Sequence, residues 1–203
     1  VGGCPLARTI NYGYDDLYRL TQASYTSGES YQYTYDPAGN RLQQIINGDT
    51  TTYFYDAANR LTSMDGVGYT YDDNGNLLTT GALTNTWDAA NRLIETTRAG
   101  TTPQPSYDGL GNRVGQTVGL STTTFALDGH GLPEVIYTSA GHAYLHLPGV
   151  IVAEEAAGER YYLLPRALGS SRQLTDASAQ VTLARSSEPF GNLVEQARMG
   201  LFK

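Results

Sequence analysis

Tyrosines alternate with small polar residues along much of this chain. Tyr31, Tyr33 and Tyr35 are separated by Gln32 and Thr34, and the pairs Tyr53/Tyr55 and Tyr69/Tyr71 repeat the spacing. Successive side chains of a strand point to opposite faces, so a period of two puts each set of rings on one face of a sheet. Helical periodicity is nearly absent, and the best helix candidate is the short stretch Glu195-Gln196-Ala197-Arg198. Glycine turns punctuate the strands at Asn47-Gly48, Asp65-Gly66, Gly81, Ala99-Gly100 and Gly119. Asn-Gly and Asp-Gly are favoured two-residue hairpin loops because both central positions need positive φ.

A second kind of turn recurs between these. It is complete at Tyr35-Asp36-Pro37-Ala38-Gly39-Asn40-Arg41-Leu42, and an earlier copy has Tyr14-Asp15 followed by Arg19-Leu20. It returns at Tyr55-Asp56-Ala57-Ala58-Asn59-Arg60-Leu61 and Tyr71-Asp72-Asp73-Asn74-Gly75-Asn76-Leu77. Further copies are Trp87-Asp88-Ala89-Ala90-Asn91-Arg92-Leu93 and Tyr107-Asp108-Gly109-Leu110-Gly111-Asn112-Arg113-Val114, with a decayed one at Leu127-Asp128-Gly129-His130-Gly131-Leu132. The aspartates step by 21, 20, 16, 16, 20 and 20 residues, the mark of a repeat architecture. Each part has a local reason. The aromatic ends a strand, and Asp bonds its own backbone two residues on to open a turn. Gly39, Gly75 and Gly111, or Asn59 and Asn91, suit a position with positive φ. Arg-Leu then restarts a strand. The prediction is an all-β, continuous antiparallel meander with two strands per repeat.

Composition narrows the partners. The chain has 16 Tyr against 4 Phe and 1 Trp, which points to thin walls or half-exposed sheets in preference to one thick dry core. A net charge of −7 without a Lys/Arg run argues against nucleic-acid binding. The single cysteine, Cys4, has no partner for an internal disulfide. No apolar run approaches the roughly 18 to 20 residues of a membrane helix. The chain starts at Val1 with neither Met nor a signal-peptide pattern, so it reads as a piece of a longer polypeptide.

The Tyr-Asp-x-x-Gly-Asn-Arg-Leu unit resembles the YD repeat of Rhs proteins, toxin-complex C components and teneurins over roughly residues 12 to 132. Residues 133–203 change character. Leu168-Gly169-Ser170-Ser171-Arg172-Gln173-Leu174-Thr175-Asp176 and the later Pro189-Phe190-Gly191 resemble the Rhs repeat-associated core. Two departures stand out: Arg166-Ala167 where the family has Asp-His, and Ser187-Glu188 where it has Tyr-Asp. The expected organisation is therefore a YD array over 1–132 and a core-like segment over 133–203. The resemblance implies a curved, cocoon-like shell that encloses a C-terminal toxin or cargo domain. Its expected partners are the remainder of a larger polypeptide or other copies of the chain, and its expected place is secreted or at a bacterial cell surface. Alternatives are a surface adhesion or matrix protein, and a part of an autoproteolytic core.

Candidate chemistry is sparse, and no catalytic, cofactor or metal residue is assigned. Self-cleavage in the resembled families uses an Asp-Pro-x-Gly pair further on; Asp36-Pro37-Ala38-Gly39 has those letters but lies inside a repeat and reads as a turn. His142 and His146 are four apart, about 13 Å along a strand, and read as a surface pair. Glu154-Glu155 reads as a solvated turn. Gly109 to Gly115 lacks the spacing of a phosphate loop, and Ser170-Ser171 lacks a nucleophile elbow. Arg19, Arg41, Arg60, Arg92 and Arg113 read as structural, pairing with motif aspartates or covering apolar surface with their stems.

Overall fold

The computed structural model describes residues 9–129, 133–147, 150–165, 171–191 and 193–198. These residues form strands and turns, with no helix among them. The first strands are β1 (Ile10–Tyr14), β2 (Leu20–Tyr25), β3 (Ser30–Tyr35), β4 (Arg41–Ile46) and β5 (Asp49–Tyr55). They continue as β6 (Leu61–Met64), β7 (Val67–Tyr71), β8 (Leu77–Thr80), β9 (Leu83–Trp87) and β10 (Leu93–Arg98). Next come β11 (Pro103–Tyr107), β12 (Arg113–Val118), β13 (Ser121–Leu127), β14 (Val135–Thr138) and β15 (His142–Leu147). The last are β16 (Val150–Ala156), β17 (Glu159–Pro165), β18 (Ser171–Thr175), β19 (Val181–Ser187) and β20 (Leu193–Arg198).

The strands form two sheets of ten, β1 to β10 and β11 to β20, and within each sheet every strand pairs antiparallel with its sequence neighbours. The chain divides into two compact units at nearly the same point, Ala7–Thr102 and Pro103–Lys203. Neighbour-to-neighbour pairing follows from the tight turns, since a two- or three-residue loop cannot reach any other strand. Asn47 and Gly48 have φ of 52° and 99°, and Asp65 and Gly66 have 48° and 79°. Ala99-Gly100 and Ala157-Gly158 repeat this double positive φ, the signature of type I′ turns.

In the first unit the packed face is tyrosine-built. Ala23, Tyr25, Tyr31 and Tyr33 form a buried cluster, with Ile10, Leu20, Tyr35 and Ile46 against it. Its register is set by cross-strand pairs: Ala23 lies opposite Tyr31, and Tyr31 opposite Ile46.

The expected helix at 195–198 is overturned. These residues lie in β20, where Glu195, Gln196, Ala197 and Arg198 pair with Ser186, Arg185, Ala184 and Leu183 of β19. A single helical turn fixes several dihedrals for one hydrogen bond, whereas an existing strand edge satisfies the backbone at every second residue. Glu154 and Glu155 likewise lie inside β16, and the solvated turn expected there is absent.

Candidate functional site

The site the sequence singles out is the row of motif turns, and they close in one way. The Asp36 N–H donates to the Asn40 carbonyl at 2.9 Å, and the Gly39 N–H donates back to the Asp36 carbonyl at 3.1 Å. The same two bonds join Asp56 with Arg60 and Asn59, Asp72 with Asn76 and Gly75, and Asp88 with Arg92 and Asn91. They also join Asp15 with Arg19 and Tyr18, and Asp108 with Asn112 and Gly111. This is the pattern of a three-residue hairpin loop whose last residue is left-handed and makes a bulge. The bulge is the register shift just before Tyr35, Tyr55, Tyr71 and Tyr107. The left-handed residue has φ of 94° at Gly39, 59° at Asn59 and 58° at Asn91.

The aspartate carboxylate locks the loop. Asp56 Oδ1 accepts the N–H groups of Ala58 and Arg60, both at 2.9 Å, while Oδ2 takes Arg60 Nε at 2.7 Å. Asp15–Arg19 and Asp88–Arg92 match this ion pair. In the other copies an asparagine amide replaces the guanidinium: Asn40 on Asp36, Asn76 on Asp72 and Asn112 on Asp108. Arg41 is therefore not the spatial equivalent of Arg60, although the letters align them. Its guanidinium sits over the Tyr53 ring, 4.6 Å from the centroid, and donates to the Tyr53 hydroxyl at 3.0 Å. Arg113 covers Phe125 in the same manner. Leu42, next in the motif, is half exposed.

These bonds hold the motif carboxyls below their ordinary range. In Asp15, Asp56 and Asp88 the largest cause is the backbone N–H of the following arginine. In Asp36, Asp72 and Asp108 it is the asparagine side chain. A carboxyl that is more acidic folded than unfolded adds stability above its unfolded pKa and loses it as pH falls through the folded one. The urea midpoint of the chain is expected to drop steadily below about pH 4, the unfolded aspartate value. Changing Asp36, Asp56 and Asp72 to Asn should flatten that slope while lowering the midpoint at neutral pH. An unchanged slope would count against the carboxylate lock.

Sequence reading missed the link between turns. Four consecutive motif aromatics donate to the carbonyl that opens the strand after the preceding turn. Tyr35 Oη reaches the Leu20 carbonyl at 2.7 Å, Tyr55 Oη that of Arg41 at 3.0 Å, and Tyr71 Oη that of Leu61 at 2.8 Å. Trp87 Nε1 makes the same bond to Leu77 at 2.9 Å, which explains why tryptophan substitutes for tyrosine there. Arg19 adds a bond to the Asp36 carbonyl, and Asn40 and Asn76 donate to Asn59 and Asn91. The available signal was the use of Tyr and Trp where Phe would pack as well: both carry a donor.

The turn also persists where its letters are lost. Asp176 N–H donates to the Gln180 carbonyl and Ala179 N–H to the Asp176 carbonyl, with Asp176 Oδ1 accepting from Ser178 and Gln180. Glu188, buried, stands in the aspartate place before Pro189, the exposed Phe190 and Gly191, whose N–H donates to the Glu188 carbonyl. Asp128 keeps the geometry across a wider loop to Glu134. Leu174 lies half-buried in β18. Leu168, Gly169 and Ser170 lie outside the described residues, as does the side chain of Arg172. Ala179 has a φ of 60° and is exposed. Ala179→Gly is expected to stabilise the chain by about 1 kcal/mol, because the left-handed region strains a β-carbon; thermal unfolding reads it.

In the second unit, His142, Tyr144 and His146 follow one another along β15, the rings 6.4 Å apart in each step. Each histidine meets its own carboxylate: His142 Nδ1 lies 2.7 Å from Glu154, and His146 Nδ1 lies 2.8 Å from Glu134. The expected surface pair is corrected for His146, whose side chain is 13% exposed. It borders a hollow of about 500 Å³ walled by Phe125, Val135, Tyr144, Val150 and Ile151. Among the described residues no three His, Cys, Asp or Glu side chains are grouped to hold a metal ion. No helix among them is long and apolar enough to cross a membrane.

The chain is similar to several known proteins. The chain is 28% identical over 192 residues to the tRNA3(Ser)-specific nuclease WapA of Bacillus spizizenii, covering 88% of this chain and 8% of that protein. It is 33% identical over 135 residues to the tRNA nuclease WapA of Bacillus subtilis, covering 63% of this chain and 6% of that protein. With Teneurin-3 of Danio rerio it shares 29% over 201 residues, 88% of this chain and 7% of that one. The chain thus spans under a tenth of each relative. The crystal structure of TcdB2-TccC3-Cdc42 aligns with 94% of the chain and 15% of its own, at a TM-score of 0.41 and 14% identity. The teneurin YD-shell family model matches residues 6–201. The chain, with its meander of aspartate-locked turns, belongs to the teneurin YD-shell family.

Proposed function

We propose that this chain is a wall segment of a Rhs-like shell, part of a larger polypeptide whose shell encloses a toxin or other cargo domain. The observation that carries this reading is where the motif's polar groups go. The aspartates close their own turns, and the tyrosine hydroxyls and the Trp87 indole staple one turn to the last. Groups committed in this way serve architecture, so the segment works by enclosure and performs no chemistry itself. In this reading residues 1–132 are the repeat array and 133–203 the core-like segment. Leu168, Gly169, Ser170 and Arg172 serve that segment's architecture. The nuclease names of the WapA relatives support a nucleic-acid-cutting cargo, and membership of the teneurin YD-shell family supports a secreted or surface-displayed location for the whole. The edge strands of the two sheets, β1, β10, β11 and β20, would be covered by further strands of the same polypeptide.

Limited proteolysis of the full polypeptide tests this. A discrete segment outside the shell sequence should survive protease while the wall is intact, and should be digested once Gly115→Ala disrupts it. Digestion at equal rates in both proteins would reject enclosure and favour an adhesive surface protein.

A further inference from the structure

The hollow beside His146 lies wholly within the second unit, against β13, β14, β15 and β16. Its volume of about 500 Å³ is that of a small-ligand site. Phe125, Val135, Val150 and Ile151 make apolar walls, and Tyr144 and His146 add ring faces set edge to face. Packing alone would fill such a space with side chains, because apolar surface left facing water forgoes both burial and contact.

The polar groups around it are held in place by the fold. Thr138 Oγ1 accepts the His142 N–H at 3.3 Å, and His146 Nε2 lies 2.8 Å from the Val135 carbonyl. The Glu134 N–H donates to Asp128 Oδ1 at 2.9 Å, which fixes that residue at the hollow. Glu134 Oε2 lies 2.8 Å from His146 Nδ1, and the Glu134 side chain is 32% exposed. A carboxylate accepts at both oxygens, so Oε1 is left as an acceptor for a further donor.

The local charge selects the sign of that donor. Among the described residues lining the hollow are the Glu134 carboxylate and no Lys or Arg. Glu154, bonded to His142, stands close by. Burial first, and the Glu154 charge second, raise the Tyr144 hydroxyl above its ordinary pKa. The Phe125 ring already carries a cation, since the Arg113 guanidinium sits over it at 5.5 Å from the centroid. An anion here would meet like charge, and a neutral apolar group would strip water from Glu134 without replacing it. A cation on an apolar body satisfies both the walls and the carboxylate.

We propose that this hollow is a binding site for a small organic cation, an ammonium group carried on an apolar body the size of one aromatic ring. Glu134 takes the ammonium, Phe125 and Tyr144 offer it ring faces, and Val135, Val150 and Ile151 enclose the body. The site belongs to the wall itself and stands whether or not the shell encloses a cargo.

Phenethylammonium, added to the full 203-residue chain at neutral pH, is the probe, with the methyl resonances of Val135, Val150 and Ile151 followed by NMR. Saturable shifts at these three residues are expected with a Kd of about 1 mM, the affinity open to a ligand of this size. The neutral 2-phenylethanol should bind about tenfold more weakly, for want of one charged hydrogen bond, and 3-phenylpropanoate should not bind measurably. Glu134→Gln should bring the cation level with the alcohol while leaving the alcohol unchanged. Val150→Trp, which fills the hollow, should abolish the binding of both. The charge series in the parent chain carries the test if a variant does not fold. Shifts that do not saturate at about ten times the expected Kd, phenylpropanoate binding as well as phenethylammonium, or an unchanged affinity for the cation in folded Glu134→Gln would each overturn the site.

Discussion

Tyr31→Ala is expected to destabilise the chain by about 3–5 kcal/mol, the range for deleting a large buried aromatic. Tyr31 is 2% exposed and is the largest fully buried side chain among the described residues. Its ring lies 5.3 Å from that of Tyr25, and its strand neighbours Ala23 and Ile46 flank it on β2 and β4. Ala23 is too small to fill the space left behind, and both neighbours are held by their own ladders. The loss therefore combines transfer of the ring to water with a cavity that does not collapse. Urea unfolding followed by circular dichroism measures it. Tyr31→Phe, which keeps the ring, separates packing from the hydroxyl. A Tyr31→Ala chain with the parent's midpoint would show that this face is not the core of the first unit.

Gly115→Ala has the next largest expected cost, about 1–3 kcal/mol, from overpacking. Gly115 is buried in β12 between Ser106 of β11 and Thr124 of β13. A β-carbon there would lie 2.7 Å from the Thr123 carbonyl oxygen and 3.0 Å from Ser106 Oγ. The first obstacle is backbone, so no rotamer change removes it, and β13 must move or the ladder must slip. Gly39→Ala is the informative contrast. A β-carbon at Gly39 meets nothing within 4 Å, yet its φ is 94°. Its cost is conformational alone, about 1 kcal/mol. Exchange protection along β12 and β13 should fall in Gly115→Ala and stay at parent values in Gly39→Ala. Equal, local effects in both variants would mean that close packing does not govern Gly115.

The contrast also shows how far the letters reach. Gly39 and Gly115 look alike in sequence, but only Gly39 sits at a fixed distance from an aspartate, and its role is legible from that spacing. Gly115 is required by strands on either side of it, and nothing within a few residues announces this. The same division runs through the arginines. Arg60 and Arg41 stand alike before leucine, yet one closes its own turn while the other lies over Tyr53. The two loops are equally long; Asn40 takes on Asp36 the place that Arg60 takes on Asp56, which leaves Arg41 one position later, at the start of β4.

What the sequence determined by itself is everything that closes within about five residues: strands of period two, Asp-opened turns, left-handed Gly or Asn positions, and hence an antiparallel meander. Such contacts form wherever the segment is placed, so local chemistry suffices to read them. Tertiary structure alone decided which rings are buried, the Tyr-to-carbonyl staples between turns, the strand at 193–198 and the burial of His146 against Glu134. Each of these joins residues ten or more positions apart or depends on a neighbouring strand's edge. The repeated turn was therefore visible from the start, and the bonds that knit one turn to the next became visible only when the strands lay side by side.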